Sequence, residues 1–99
     1  MKILLICAGG MSTGLLTKKM QEYAVEQGVD LAIEAHGVNS VDRYYDSFDI
    51  IMVGPQVRFK LQEIQELTGM PVGVINPSDY GLQNCEAIFK QAEELYAQK

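Results

Sequence analysis

The chain has 99 residues, 47% of them hydrophobic and 21% charged, with a formal net charge of −5. That size and apolar content suit one domain, spanning residues 1–99, with an ordinary hydrophobic core. The acidic balance, with basic residues that form no run or stripe, argues against a nucleic-acid role, and no apolar stretch approaches the roughly 20 residues that cross a bilayer.

The first element is Ile3 to Ile6, a uniformly apolar run that predicts a strand covered on both faces. With a single lysine before it, this run is too short for the apolar region of a secretory leader. Cys7-Ala8-Gly9-Gly10-Met11-Ser12-Thr13-Gly14 follows as a glycine-rich loop. A helix is expected from about Ser12 to Gln27, because Leu15, Leu16, Met20, Tyr23 and Ala24 recur at helical spacing and Gly28 stands where a C-terminal cap belongs. Asp30 to His36 alternates, with Leu31, Ile33 and Ala35 on one face and Asp30, Glu34 and His36 on the other, as in a half-exposed edge strand. Ser40 to Phe48 reads as a short helix carrying Val41, Tyr44, Tyr45 and Phe48.

Ile50 to Val53 is a second uniformly apolar strand. Gly54-Pro55 ends it and starts a helix with Val57, Leu61, Ile64 and Leu67 inward, closed by Gly69. Val72 to Ile75 is the last strand, followed by a turn at Asn76-Pro77-Ser78. A final helix is expected from about Gln83 to Gln98, with Cys85, Ile88, Phe89, Ala92, Leu95 and Tyr96 facing the core. Strands and helices alternate at spacings that suit right-handed parallel crossovers. The expected fold is therefore α/β: a three-layer sandwich with a four-stranded parallel sheet and helices on both faces. Only the second strand alternates, so it belongs at an edge, and the order 2-1-3-4 satisfies this. The connections then reverse direction between strands 1 and 3, where ligands bind in such sheets. Cys7 and Gly54-Pro55-Gln56 sit at that switch point.

A strand running into a glycine-rich loop and then a helix gathers backbone N–H donors and a helix N-terminus at one spot, which makes an anion site. Gly9, Gly10 and Gly14 let the backbone approach an oxyanion closely, and Ser12 and Thr13 add hydroxyl donors. A cysteine placed there should have its thiolate favoured and act as a nucleophile. The bland alternative is a tight turn beside a small buried cysteine. Low-molecular-weight tyrosine phosphatases place a cysteine, five residues and then an arginine in this setting. Here Thr13 stands in the arginine's place and the loop contains no arginine. Without a bidentate guanidinium, fast hydrolysis of a phosphocysteine loses a large electrostatic contribution. The loop therefore favours a carrier that hands phosphate onward.

The chain resembles the enzyme IIB component of the lactose/cellobiose class of the bacterial sugar phosphotransferase system. Cys7, Gly10, Met11, Ser12 and Thr13 match one wording of the family's loop, with a departure at Gly14. Cys7-Ala8-Gly9-Gly10 and Gly14-Leu15-Leu16 match the lactose branch. Val53-Gly54-Pro55-Gln56-Val57 and Asp79-Tyr80-Gly81 extend the likeness along nearly the whole chain. The resemblance implies a relay in which Cys7 accepts a phosphoryl group from a phosphohistidine on the IIA partner. It then passes the group to a sugar held in the membrane component IIC, at the inner, cytoplasmic face of the membrane. The sugar would be a β-linked disaccharide such as cellobiose, chitobiose or lactose. The phosphoryl oxygens would lie on Ala8, Gly9, Gly10, Met11, Ser12 and Thr13, with Gln56, Asp79 and Tyr80 as candidates to border the site. No cofactor is indicated, and any metal in use would act upstream of this domain. Two competing readings stay open: a phosphatase-like or arsenate-reductase-like cysteine enzyme, and a non-catalytic binding domain. Of the remaining residues, Cys85 reads as core, His36 as a solvated residue or turn contact, and Asp79 as an Asx turn or helix cap.

Overall fold

A computed structural model describes residues 1–8 and 11–98, and of Met11, Ser12 and Thr13 the backbone alone. Strands β1 (Lys2–Cys7), β2 (Ala32–Gly37), β3 (Ile50–Val53) and β4 (Val72–Val74) form one sheet in the order β2-β1-β3-β4. Every pairing is parallel: Ile3 lies opposite Ile33 on one side and Ile50 on the other, and Val53 lies opposite Val74. The expected strand order is the observed one.

The alternation of side chains along β1 and β3 divides the core into two. Ile3, Leu5, Ile50 and Met52 point to one face. There they meet Leu16 and Met20 of helix α1 (Met11–Gln27), and Ile88, Phe89, Ala92 and Leu95 of helix α5 (Cys85–Ala97). Leu4, Ile6, Ile51 and Val53 point to the other face and pack on Val41, Phe48, Val57 and Ile64. Both faces of the two central strands are thereby closed, and Ile3, Leu4, Ile6, Ile50, Ile51 and Val53 are wholly buried. Edge strands carry unpaired backbone groups, and here glutamines cover several of them. Gln21 on α1 donates to the Ile33 carbonyl at 3.3 Å, and Gln65 and Gln91 donate to the Val72 and Val74 carbonyls at 3.4 and 2.6 Å.

Several local expectations are corrected. The segment after β2 is no single helix. It is a 3₁₀ turn (Val38–Ser40), one turn of helix α2 (Val41–Tyr44) and a second 3₁₀ turn (Tyr45–Ser47). The helix after β3 starts as 3₁₀ over Pro55–Lys60, with Val57 at φ −120°, and becomes α-helical only at α3 (Leu61–Thr68). Leu67 is 53% exposed, because the inward stripe runs through Leu61 and Ile64 to the half-buried Thr68, whose hydroxyl donates to the Ile64 carbonyl. Leu15 is exposed because its neighbour Leu16 takes the inward position. Tyr96, in the last turn of α5, is also exposed and borders a hollow with Met1, Val29 and Phe89 at the amino end of the sheet. The turn expected at Asn76-Pro77-Ser78 is the start of a further helix, α4 (Pro77–Leu82), with the Asn76 side chain accepting from the Ser78 N–H at 2.9 Å. Gly28 and Gly69 do close α1 and α3, with φ of 68° and 65°.

Leu16 and Leu67 should therefore behave oppositely although both belong to apolar helix patterns. In urea unfolding, Leu16→Ala should cost about 3 kcal/mol, the usual cost of truncating a fully buried leucine. Leu67→Ala should stay within about 0.5 kcal/mol of wild type.

Candidate functional site

Cys7 is the last residue of β1, the strand with a neighbour on each side. Its position follows from the two-sided burial of the four residues before it. The side chain is buried, at 6% exposure, and Sγ donates to the backbone carbonyl of His36 at 3.6 Å. Cys7 lies in register with Gly37, the last residue of β2. Ala8, next along the chain, is exposed, and α1 begins at Met11. The N-terminal end of α1, whose first N–H groups have no partner within the helix and carry a partial positive charge, thus follows the cysteine by a few residues. Gly9 and Gly10 lie outside the described residues, as do the side chains of Met11, Ser12 and Thr13.

On the other side of β1, Gly54 continues from β3 and donates its N–H to the Ile6 carbonyl at 2.8 Å. A Cβ at Gly54 would lie 3.0 Å from Gln56 Oε1, 3.4 Å from the Ile6 carbonyl oxygen and 3.7 Å from Tyr80 Cε2. Three elements meet closely at Gly54: the end of β1, the 3₁₀ segment carrying Gln56, and α4 carrying Tyr80. Gln56 is exposed and Tyr80 half-buried, with the Tyr80 N–H donating to the Asn76 carbonyl at 2.9 Å. The structure therefore gathers Cys7, Gly54, Gln56 and Tyr80 at the carboxyl end of the central strands, where the order of connections reverses. Asp79 sits beside Tyr80 but borders a polar hollow with Asn76, Lys90, Gln91 and Glu94, toward the β4 edge. Its backbone carbonyl accepts from the Asn84 N–H at 2.9 Å.

His36 carries more than the sequence reading gave it. Its ring lies flat on Tyr44, with centroids 4.0 Å apart and planes 14° apart. Its carbonyl is the acceptor for the Cys7 thiol. Residue type gave no signal for this, since a carbonyl belongs to every residue. Only strand register could have pointed to it. Cys85 lies half-buried on α5, against the α1/α5 core. Burial pushes its thiol above the ordinary value, and the Lys19 ammonium offsets this only partly. Among the described residues no cluster of histidine, cysteine and carboxylate side chains is placed to hold a metal ion. No helix there is long and apolar enough to cross a membrane.

A parallel α/β sheet that ends its first strand in a cysteine, at the topological switch point and a few residues before a helix, carries that thiol at the end of the sheet where ligands bind in such folds. The chain belongs to the lactose/cellobiose-specific IIB subunits of the sugar phosphotransferase system, whose family model matches residues 2–91. It is similar to the galactose-specific EIIB component of Lactococcus lactis subsp. cremoris, 38% identical over 101 residues that cover 94% of each chain. It is likewise similar to the cellobiose-specific EIIB component of Lactococcus lactis subsp. lactis, 37% identical over 101 residues and 94% of each chain. The solution structure of the cellobiose-specific phosphotransferase IIB component protein from Borrelia burgdorferi superposes with a TM-score of 0.83. That match is 33% identical and covers 100% of this chain and 94% of that one.

Two outcomes follow from this geometry. Gly54→Val should destabilise the protein by about 1–3 kcal/mol, because added methyl groups must displace Gln56, the Ile6 carbonyl or Tyr80. The urea midpoint and the near-ultraviolet tyrosine circular dichroism both read this change. Cys85, its thiol pushed up by burial, holds less thiolate than a free cysteine at any pH below its raised value. Its alkylation by iodoacetamide near neutral pH should be slower than that of a small free thiol and should accelerate as pH rises, as followed by peptide mass mapping.

Proposed function

We propose that this chain is a phosphocysteine carrier, with Cys7 as the residue that holds the phosphoryl group. The reading is carried by one observation above the rest. In a chain of the IIB family, Cys7 is the residue that closes the central strand next to the N-terminus of α1. The Cys7 thiolate attacks the phosphorus of a phosphohistidine on IIA in line. The S–P bond forms as the N–P bond breaks, and the imidazole leaves. A sugar hydroxyl bound in the membrane component IIC then attacks the same phosphorus. The O–P bond forms, the S–P bond breaks, the thiolate returns and the hydroxyl proton leaves to solvent. Catalysis of both steps rests on positioning and on stabilising the charge of the transferred group.

In this reading the backbone N–H groups from Ala8 to Thr13, with the hydroxyls of Ser12 and Thr13, receive the phosphoryl oxygens. Gln56 and Tyr80 border the site, and Asp79 stands one residue further out. The relatives' names, galactose-specific and cellobiose-specific, support a sugar of the lactose or cellobiose type, and a β-linked disaccharide such as cellobiose, chitobiose or lactose is the proposed acceptor. The carrier works in the cytoplasm, docking in turn on IIA and on the inner face of IIC. Transient relay interfaces of this kind are small and partly polar. The phosphatase-like alternative is disfavoured by Thr13, which stands where a phosphatase loop carries its arginine.

Intact-protein mass spectrometry tests the proposal. The protein is incubated with phosphoenolpyruvate, the general relay proteins and a cognate IIA. Wild type and Cys85→Ser should each gain a single phosphate, and Cys7→Ser should gain none. An unmodified wild type beside a demonstrably phosphorylated IIA would overturn the carrier reading. Turnover of a small aryl phosphate that disappears in Cys7→Ser would favour the phosphatase-like one.

A further inference from the structure

The sheet has two outer edges, and they are defended differently. In a parallel ladder alternate residues of an edge strand bond inward, and the others turn their N–H and C=O outward. Along β4, the Pro71 carbonyl and the Ile75 N–H bond to β3, so Val72 and Val74 are the outward residues. On β2, the exposed carboxylate of Glu34 discourages a further strand. By contrast, β4 reads Val72-Gly73-Val74 and carries no charge. Its two outward carbonyls are instead covered by side chains arriving from opposite faces of the sheet. Gln65 of α3 donates to Val72 at 3.4 Å, and Gln91 of α5 to Val74 at 2.6 Å. The second bond is possible because α5 lies very close to β4. A Cβ at Gly73 would stand 2.8 Å from Leu95 Cδ1, and Gln91 lies one helical turn before Leu95 on the same side of α5. Water would satisfy both carbonyls, and holding a glutamine in one rotamer costs side-chain entropy. Exclusion of another strand is the gain that water does not give.

We propose that Gln65 and Gln91 close the β4 edge against strand addition, and that the strand they exclude is β4 of a second copy of this chain. An apolar edge is its own complement. Turned about a two-fold axis, Val72-Gly73-Val74 of one copy lies antiparallel to the same residues of another, and one sheet runs through both molecules. Asp79, Lys90 and Glu94, around the hollow beside Val74, carry both signs and so set up no uniform repulsion against such a pair. Each glutamine occupies a carbonyl that an incoming N–H needs, and its side chain fills the space along which the second strand would lie. The proposal goes beyond the phosphocysteine reading and is independent of it, since no part of it involves Cys7.

Amide hydrogen exchange and sedimentation equilibrium on the full chain test it, with Gln65→Ala/Gln91→Ala beside wild type over a range of protein concentrations. In wild type, exchange of the Val72 and Val74 N–H groups should not depend on concentration. In the double-alanine variant these two should slow by about tenfold as concentration rises, while the apparent mass climbs toward twice that of the monomer. Gln65→Lys/Gln91→Lys keeps a donor at each position and adds charge, so it should behave as wild type. A double-alanine variant whose Val72 and Val74 N–H groups do not slow overturns the proposal. So does a wild type, or a lysine pair, in which they slow as much. If the double-alanine variant loses its far-ultraviolet circular dichroism and so its fold, wild type still decides. The side-chain amide protons of Gln91 should exchange about tenfold more slowly than those of the exposed Gln98, and equal rates overturn the cover.

Discussion

Two-sided burial of β1 is the constraint on which the rest of this structure depends. Ile3 to Ile6 lose all contact with water, odd residues to the α1/α5 layer and even residues to the layer of α2, α3 and their 3₁₀ turns. A strand of this kind cannot sit at an edge without exposing a whole apolar face. It must have a strand on each side and helices above and below. Once β1 is central, its last residue is delivered between the ends of β2 and β3. Cys7 is buried yet at the rim of the sheet because the strand ends there.

Among the described residues, main-chain groups stand at the end of β1. The thiol meets the His36 carbonyl, and the neighbouring Ile6 carbonyl takes the Gly54 N–H. Backbone groups held by a parallel ladder are placed more rigidly than long charged side chains, and they leave room for a group that comes and goes. Gly54 performs the same service from β3, since the space a Cβ would fill is bounded by Gln56, Tyr80 and the end of β1. A site of this construction suits the proposed carrier role, where tight retention would defeat the purpose.

Much of the fold was legible because it rests on short-range pattern. Uniform apolarity marked β1 and β3, alternation marked β2, and glycines marked the ends of α1 and α3. The misreadings share a cause. Leu15, Leu67 and Tyr96 are apolar residues on amphipathic helices whose inward stripe is decided by what lies beneath, not by hydropathy. Asn76-Pro77-Ser78 carries turn-forming residues, but asparagine at a cap and proline at the first helical position also open a helix, and α4 forms there. The 38–47 segment divides into a 3₁₀ turn, one turn of helix and a second 3₁₀ turn, and both Val41 and Phe48 reach the core on that face of the sheet.

By itself the sequence determined the α/β class, the strand order and the placing of Cys7 at the switch point, because these follow from which segments must be buried on one face or two. Only the tertiary structure decided what Cys7 touches. The His36 carbonyl and the Tyr44 ring stacked behind it come from residues far along the chain. Their meeting depends on ladder register and on the path of the 38–47 segment, which residue type does not encode. The same holds for Gly54 and Tyr80, brought against the end of β1 by pairing and crossover rather than by any local signal.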